Sequence, residues 1–508
     1  MIFILRSSKK IYRFCLPFLL IFTCVNLLAA DNIYWLPSGV PPAFKSAKEG
    51  CDYMYLGGGG LVSLSSRYRP EHNIYVGDSG YKCGLADVFG NWTGEYFGMT
   101  ISKLEVCSDD MLFDYFVGAC RYTTQKGHPN NVNSCEAPSL ERGNPVNIAT
   151  GNKFQEEHDF VSGSSSPIVV DRYYNSSDKY WRHSYSARLD INVRWVTLVD
   201  SDGREIKFEY DGSSYFSKSE GVYLLKLADG WSFKSRINKV YYFDLSGQLI
   251  KVVSNNGGTQ YVLRMGGDIV IRNDFTDEVV LTEDFLHQPV HLSAEDVDIR
   301  YEYAGGRLVK RTKVYVGRPE SADVRTYHYE NQNNDGDRLL TGITDERGVR
   351  LVTWMYSPSQ KVVFSEHADG AQSTRFIYES EESTSVVGEL GRKLVYHFKL
   401  ILGVKRIVSI EGEPTPDCPA SNSTYTYNDR GLVLTKTDAK GLITAYSYND
   451  RGLEISRTEA SGTTLARTTT TEWDPDRFLP IRVIEPSRIT VYSYDNQGHE
   501  LTRQSTSR

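Results

Sequence analysis

Along most of this chain apolar and polar residues alternate with a period of two, the pattern of strands that bury one face. Ile206, Phe208 and Tyr210 alternate in this way after the pair Asp202-Gly203, and the apolar run 195–199 precedes it. Two β-favouring runs joined by a D-G pair predict a hairpin. Asp211-Gly212 and Asp229-Gly230 repeat the device, with Trp231 and Phe233 restarting a strand. Between 141 and 265 apolar spacing of three and four never persists for three turns, so the pattern predicts strands and no helix.

Further on, the alternation itself repeats. Tyr425-Thr-Tyr427-Asn-Asp-Arg-Gly431-Leu432 recurs 21 residues later as Tyr446-Ser-Tyr448-Asn-Asp-Arg-Gly452-Leu453, and Tyr492-Ser-Tyr494-Asp-Asn-Gln-Gly498 is a third copy. Taking the second aromatic of each copy gives Tyr303, Tyr329, Tyr356, Tyr378, Phe398, Tyr427, Tyr448, Trp473 and Tyr494, at gaps of 20 to 29 residues. Two tyrosines two apart put both rings on one strand face. The Asn449 to Gly452 stretch supplies a turn in which glycine takes positive φ, the returning strand starts at Leu453, and Asp438-Ala-Lys-Gly441 makes the turn between copies. A unit of this size buries its aromatic face only against its neighbours, so the units form an array. The 34 tyrosines fit that role, since an amphipathic ring can line a sheet whose other side is wet. The expected fold is all-β, and far-UV circular dichroism is expected to be predominantly β.

The first thirty residues follow a different pattern. Arg6, Lys9, Lys10 and Arg13 precede an apolar stretch at 14–28 that ends in Ala29-Ala30, the layout of a secretory signal cleaved after Ala30. An uncleaved anchor is the competing reading, but fifteen apolar residues fall short of the roughly 20 that span a bilayer. A lipoprotein signal would need a better lipobox ahead of Cys24 than Ile21-Phe22-Thr23. No later stretch reaches membrane-spanning length, so export to the periplasm, the cell surface or the medium is expected. Losing the four basic residues of the signal takes the formal charge from −7 to −11, which argues against nucleic acid or an anionic membrane as the main partner.

Cys15 and Cys24 lie in the signal, Cys51, Cys83, Cys107, Cys120 and Cys135 crowd one region, and Cys418 stands alone. Exported cysteines gathered in this way read as two disulfides, with the fifth thiol free or joined to Cys418. Zinc is the rival, without a C-x-x-C pair or a histidine at ligand spacing to support it. The chain therefore divides into a signal at 1–30, a small Cys-rich β domain of unassigned fold at 31–140, a β-rich domain preceding the repeats at 141–265, and the repeats at 266–508.

The Y-x-Y-x-x-x-G-L pattern with D-x-x-G between copies resembles the YD repeats of the RHS family. Gly143-Asn-Pro-Val-Asn-Ile-Ala-Thr-Gly151-Asn-Lys-Phe154, with Tyr173-Tyr-Asn175 and Trp181-Arg-His-Ser-Tyr185, is similar to the domain that precedes the repeats in bacterial RHS proteins. The two resemblances together cover roughly 141–508. They imply a spiral of β-hairpins closing into a hollow shell around a C-terminal toxin, while related repeat proteins act in surface adhesion. Residues up to Arg508 contain no toxin domain or self-cleavage segment that can be identified, so further repeats or a toxin supplied elsewhere are the expected partners, and the array is expected to be incomplete.

Candidate chemistry is sparse. Gly77-Asp78-Ser79-Gly80 resembles the nucleophile segment of trypsin-like proteases, but Tyr81 breaks the motif, and His72 lies too close for that two-barrel arrangement. The stretch 331–337, rich in Asn and Asp, partly matches a calcium loop, yet its twelfth position is Gly342 where a bidentate glutamate belongs. The glycines at 57–60 lack the following Lys-Ser of a phosphate loop. Glu156, Glu157, His158 and Asp159 form a charge cluster whose adjacent carboxylates point to opposite strand faces, a solvated edge on this reading. Trp181, Trp195 and Trp231 are candidates for stacking on sugars, most of them expected in the core. No catalytic, cofactor-binding or metal-ligating residue is assigned, and the expected function is a non-enzymatic exported scaffold, or failing that a surface adhesin that binds carbohydrate.

Overall fold

Strands follow one another for nearly the whole described length because the alternation rarely lapses. A computed structural model describes residues 125–129 and 137–508, apart from 192–194, 211, 256, 331–337, 413–421 and 497, and before them 34–37, 51–52, 74–75, 81–84, 96–104, 112–114 and 119–121. The expected signal, the motif at 77–80 with His72, the glycines at 57–60 and the stretch 331–337 lie outside the described residues. All the described residues belong to one unit, Asn32–Arg508. Among them, helix is confined to Cys51–Asp52 and a 3₁₀ turn at Ala368–Gly370.

Near the N-terminus the strands Tyr34–Pro37, Ile74–Tyr75, Tyr81–Gly84 and Tyr96–Leu104 form one antiparallel sheet. A disulfide joins Cys51 to Cys83, with their Cα atoms 5.7 Å apart. The pairing of Cys107, Cys135 and Cys418 lies outside the described residues, as does the side chain of Cys120.

From Arg188 onward a single antiparallel sheet of 30 strands runs to Ser507, each strand pairing with its neighbours in sequence. The predicted hairpin is its second and third strands, Trp195–Val199 and Glu205–Tyr210, with Val196 opposite Phe208. Ile206 and Phe208 are buried as the alternation requires, whereas Tyr210 is exposed at the strand end. No break in the pairing occurs near residue 265: strand Thr259–Met265 pairs on both sides.

One loop chemistry joins many of these strands. Asn428 accepts hydrogen bonds at its side-chain oxygen from the amides of Arg430 (3.0 Å) and Leu432 (2.9 Å), while its own amide donates to the Leu432 carbonyl. The fourth residue, Gly431, sits at φ +72°, where a side chain would be strained. Asp244, Asp284, Asp345, Asp438, Asn449 and Asp495 head loops with the same backbone pair and a side-chain oxygen on the amide four residues on. A short polar side chain at the first position thus closes the loop, which is why Asn and Asp recur there.

The sheet also meets itself. Lys234 Nζ donates to the Asp476 carbonyl (3.0 Å), and the Phe478 amide donates to Asn238 Oδ1 (3.1 Å), contacts between residues 242 and 240 positions apart. Early strand ends therefore lie against repeat strands that come about 240 residues later.

Candidate functional site

The repeats present one aromatic face. The first ring of most pairs (Tyr301, Tyr327, Trp354, Phe376, Tyr396, Tyr425 and Tyr446) is buried, while Tyr492 in the last pair is half-buried. Between the two rings of a pair the alternation turns the intervening side chain outward, as with the exposed Met355 and Ile377. At the second ring the register slips by one, for example between Ser447 and Tyr448, Met355 and Tyr356, and Ser493 and Tyr494. Such a bulge re-aims a side chain. Here it swings the ring toward the preceding hairpin, where its polar atom finds a backbone carbonyl. Tyr303 donates to Pro289 (2.9 Å), Tyr356 to Leu340 (2.7 Å), Tyr378 to Val362 (2.7 Å), Tyr448 to Val433 (2.8 Å) and Tyr494 to Pro480 (2.8 Å). Trp473 does the same to Glu454 through its indole nitrogen (2.8 Å). Tyrosine is therefore more than the lining residue that strand period predicts: its hydroxyl makes a bond between successive hairpins that phenylalanine could not make.

A segment of the chain's own polypeptide lies on this face. The strands Phe154–Val161, Val169–Asn175 and Tyr180–His183 form a three-stranded antiparallel sheet. Ile168, Val170, Arg172 and Tyr174 share its buried side. Contacts run along the long sheet in order. Asn273 meets the Ser166 carbonyl (2.9 Å), and Gln288 meets the Trp181 amide (3.3 Å). Tyr174 donates to the Arg338 carbonyl (2.7 Å), Trp354 to the Asn144 carbonyl (3.0 Å), and Arg142 to Tyr396 Oη (2.7 Å).

At the centre sits a buried guanidinium. Arg172 pairs with Asp159 through two hydrogen bonds, both side chains having no exposed surface, and donates to Tyr327 Oη (2.7 Å). Its guanidinium carbon lies 4.8, 4.7 and 5.4 Å from the ring centres of Trp181, Tyr301 and Tyr327. Burial alone would lower its pKa, but Asp159, Tyr327 and Tyr301 hold it well above the ordinary arginine value. Tyr301 donates to Asp159 (2.8 Å), and Arg325 bridges the buried Glu157 to Glu346. A second buried group, His183, donates from Nε2 to Glu283 (2.7 Å) and accepts the Tyr185 amide at Nδ1 (3.2 Å), a neutral tautomer. Burial lowers its pKa against the pull of Glu283.

The charge cluster at 156–159 divides here. Glu156 and His158 are exposed as a solvated edge would have them, but Glu157 and Asp159 are buried, so half of that reading is corrected. Besides Arg172, on the neighbouring strand, the partners that bury them come from strands more than 140 residues away, beyond the reach of a local pattern. One signal was available: Arg172 falls on the apolar face of its own strand. On the exposed side, Glu156, His158 and Asp171 gather donor atoms within 4.8 Å of one another. Trp181, Trp195 and Trp231 are all core residues, as expected of most of them, which removes them as sugar platforms.

Comparison with known proteins bears on the repeats. A family model described as RHS Repeat matches residues 427–464, the stretch that holds the second copy of the tyrosine motif. The chain carries RHS repeats. A second model, described as a domain of unknown function (DUF6531), matches residues 143–208, which include the three-stranded sheet on the tyrosine face. Among solved structures, the RHS-repeat chain is similar to TcdB2-TccC3 without its hypervariable C-terminal region, at 11% identity and TM-score 0.31 over 72% of this chain and 19% of that one. It is similar also to TcdB2-TccC3, at 11% identity and TM-score 0.30, over 91% of this chain and 28% of that one. The Photorhabdus luminescens Tc holotoxin pore matches at 12% identity and TM-score 0.30, with coverages of 72% and 19%. The chain thus spans between 19% and 28% of the length of those proteins. No curated protein matches it.

Proposed function

We propose that this RHS-repeat chain is an exported, non-enzymatic scaffold that forms part of a wall around another polypeptide. The observation that carries the reading is the occupied tyrosine face. That face already receives a polypeptide, the chain's own 140–186 segment, through backbone carbonyls, buried charge and ring faces. The most polar groups of the segment are spent on structural partners, as Asp159 is on Arg172 and Glu157 on Arg325, which suits a scaffold better than a reaction centre. Export is supported by the layout of residues 1–30 and by the Cys51–Cys83 disulfide. The surrounded polypeptide is proposed to be a toxin and further repeats to continue the wall, each supplied by the same protein or by a separate chain.

A surface-binding role is the second reading. Tyr223, Leu225, Tyr261, Leu263 and Met265 are exposed on the other face of the sheet, where they offer rings and apolar surface. One experiment separates the two. An unstructured reporter peptide with a protease site is fused after residue 508 in one protein and ahead of residue 31 in another. The wall reading expects slower cleavage at the first site. Equal cleavage at both sites, with the β signal intact, overturns it. Glycan-array binding that is lost in Tyr261→Ala would establish the second reading instead.

A further inference from the structure

The hairpin on the tyrosine face has a second side that takes no part in that packing. Strand Phe154–Val161 directs Glu157 and Asp159 inward, so Glu156 and His158, two apart, both stand on the outer side. Register places Asp171 of strand Val169–Asn175 directly opposite His158, and Tyr173 opposite Glu156. His158 Nδ1 lies 2.7 Å from Asp171 Oδ1, Tyr173 Oη lies 3.4 Å from Asp171 Oδ2, and the three donor atoms of Glu156, His158 and Asp171 lie within 4.8 Å of one another. Two residues at i and i+2 with a third across the ladder make a three-point cradle on a rigid sheet.

The chemistry of the set is specific. Tetrahedral zinc sites hold nitrogen and carboxylate oxygen at about 2.0–2.2 Å, which sets neighbouring ligand atoms about 3.3 Å apart. The cradle reaches that spacing by opening the 2.7 Å His158–Asp171 contact by about 0.6 Å and by drawing the exposed Glu156 carboxylate inward from its place within 4.8 Å of them. His158 is 75% exposed at its side chain and has room to do so, while Asp171, at 14%, is held. Charge points the same way. Among the described residues the ion pair of Asp171 is with His158 alone, and no lysine or arginine pairs with Glu156, which leaves two carboxylates beside one imidazole. The bond to Asp171 also raises the pKa of His158, so a metal ion would compete with a proton there.

We propose that Glu156, His158 and Asp171 form a binding site for a divalent transition ion of the zinc class, with water completing its coordination. An imidazole with two carboxylates suits such ions better than magnesium or calcium, which prefer all-oxygen shells. A bound ion would tie the two strands together on the outer side, as the Arg172–Asp159 pair ties them on the inner side.

The test is calorimetric titration of the metal-stripped full chain with Zn²⁺ at pH 7.5, alongside His158→Ala, Asp171→Asn and Glu156→Gln. Expected are saturable 1:1 binding, at least a tenfold loss of affinity in the first two variants, and weaker binding at pH 5.5, where the histidine is protonated. Co²⁺ as a spectroscopic probe should give no thiolate charge-transfer band. The substituted groups are exposed or face outward, so circular dichroism should confirm intact folding. Absence of Zn²⁺ binding overturns the proposal. Binding that persists unchanged in His158→Ala and Asp171→Asn places the ion elsewhere, on cysteines where a thiolate band accompanies it, and overturns the proposal equally.

Discussion

At the scale of single residues, much of the molecule rests on polar groups that have no water to fall back on. Removing one member of a buried ion pair strands the other, at a cost of about 3–5 kcal/mol. Asp159→Ala should therefore destabilise the chain by about that much in urea unfolding, while the double change Asp159→Leu with Arg172→Met should recover most of the loss. The tyrosine bonds are smaller and more numerous. Tyr356→Phe deletes the donor to the Leu340 carbonyl and should cost about 1 kcal/mol. Tyr261→Phe, on the half-exposed outer face, should stay within about 0.5 kcal/mol. His183 adds a pH dependence. Its folded pKa lies below that of the unfolded chain, so the unfolded state takes up a proton first and stability falls as pH drops below about 6.5. Glu283 pulls in the same direction at lower pH: burial would raise its pKa, but bonds from His183 and His287 hold it well below the carboxylate range. His183→Gln should flatten the fall in the unfolding midpoint between pH 6.5 and 5; an unchanged slope would exclude His183 as its source.

At the scale of the hairpin, the unit is loop, bulge and ring pair acting together. Asn428→Ala removes two acceptor contacts to the loop amides and should cost about 1–2 kcal/mol, with Asn428→Asp retaining most of the stability. Hydrogen exchange should localise the loss to strands Ser423–Tyr427 and Val433–Thr437; an effect spread evenly over the sheet would contradict a self-contained unit. Loops and ring spacing were legible in the sequence because they are local. The same side chain that marks Asn428 as a turn residue makes the turn's hydrogen bonds, and Tyr446 and Tyr448 share a face by strand period alone. The role of Tyr448 as a donor was not legible, since it depends on a one-residue slip that the Y-x-Y spacing does not announce. The fate of Glu157 and Asp159 was half legible: alternation separated them from Glu156 and His158, but which face is wet is decided by Tyr301, Tyr327 and Arg325, far along the chain.

At the scale of the whole sheet, strands that pair only with their sequence neighbours depend on side-chain contacts to hold distant parts together. Lys234 and Asn238 supply two of these contacts, to the 476–478 loop. The pair Lys234→Ala and Asn238→Ala should speed hydrogen exchange from Arg467–Trp473 onward while leaving Thr259–Met265 unchanged; equal protection throughout would show that these contacts hold nothing. The segment on the tyrosine face carries a different consequence, one of timing. Asp159 and Arg172 leave the ribosome early, but Tyr327, which completes their burial, comes 155 residues after Arg172. At 5–20 residues per second that interval is roughly 8 to 30 s. Through it the hairpin must keep a paired charge and several apolar side chains exposed to whatever surrounds the growing chain. A holding factor, or export before the chain is finished, would shorten the risk, and a pause in synthesis before codon 327 would lengthen it.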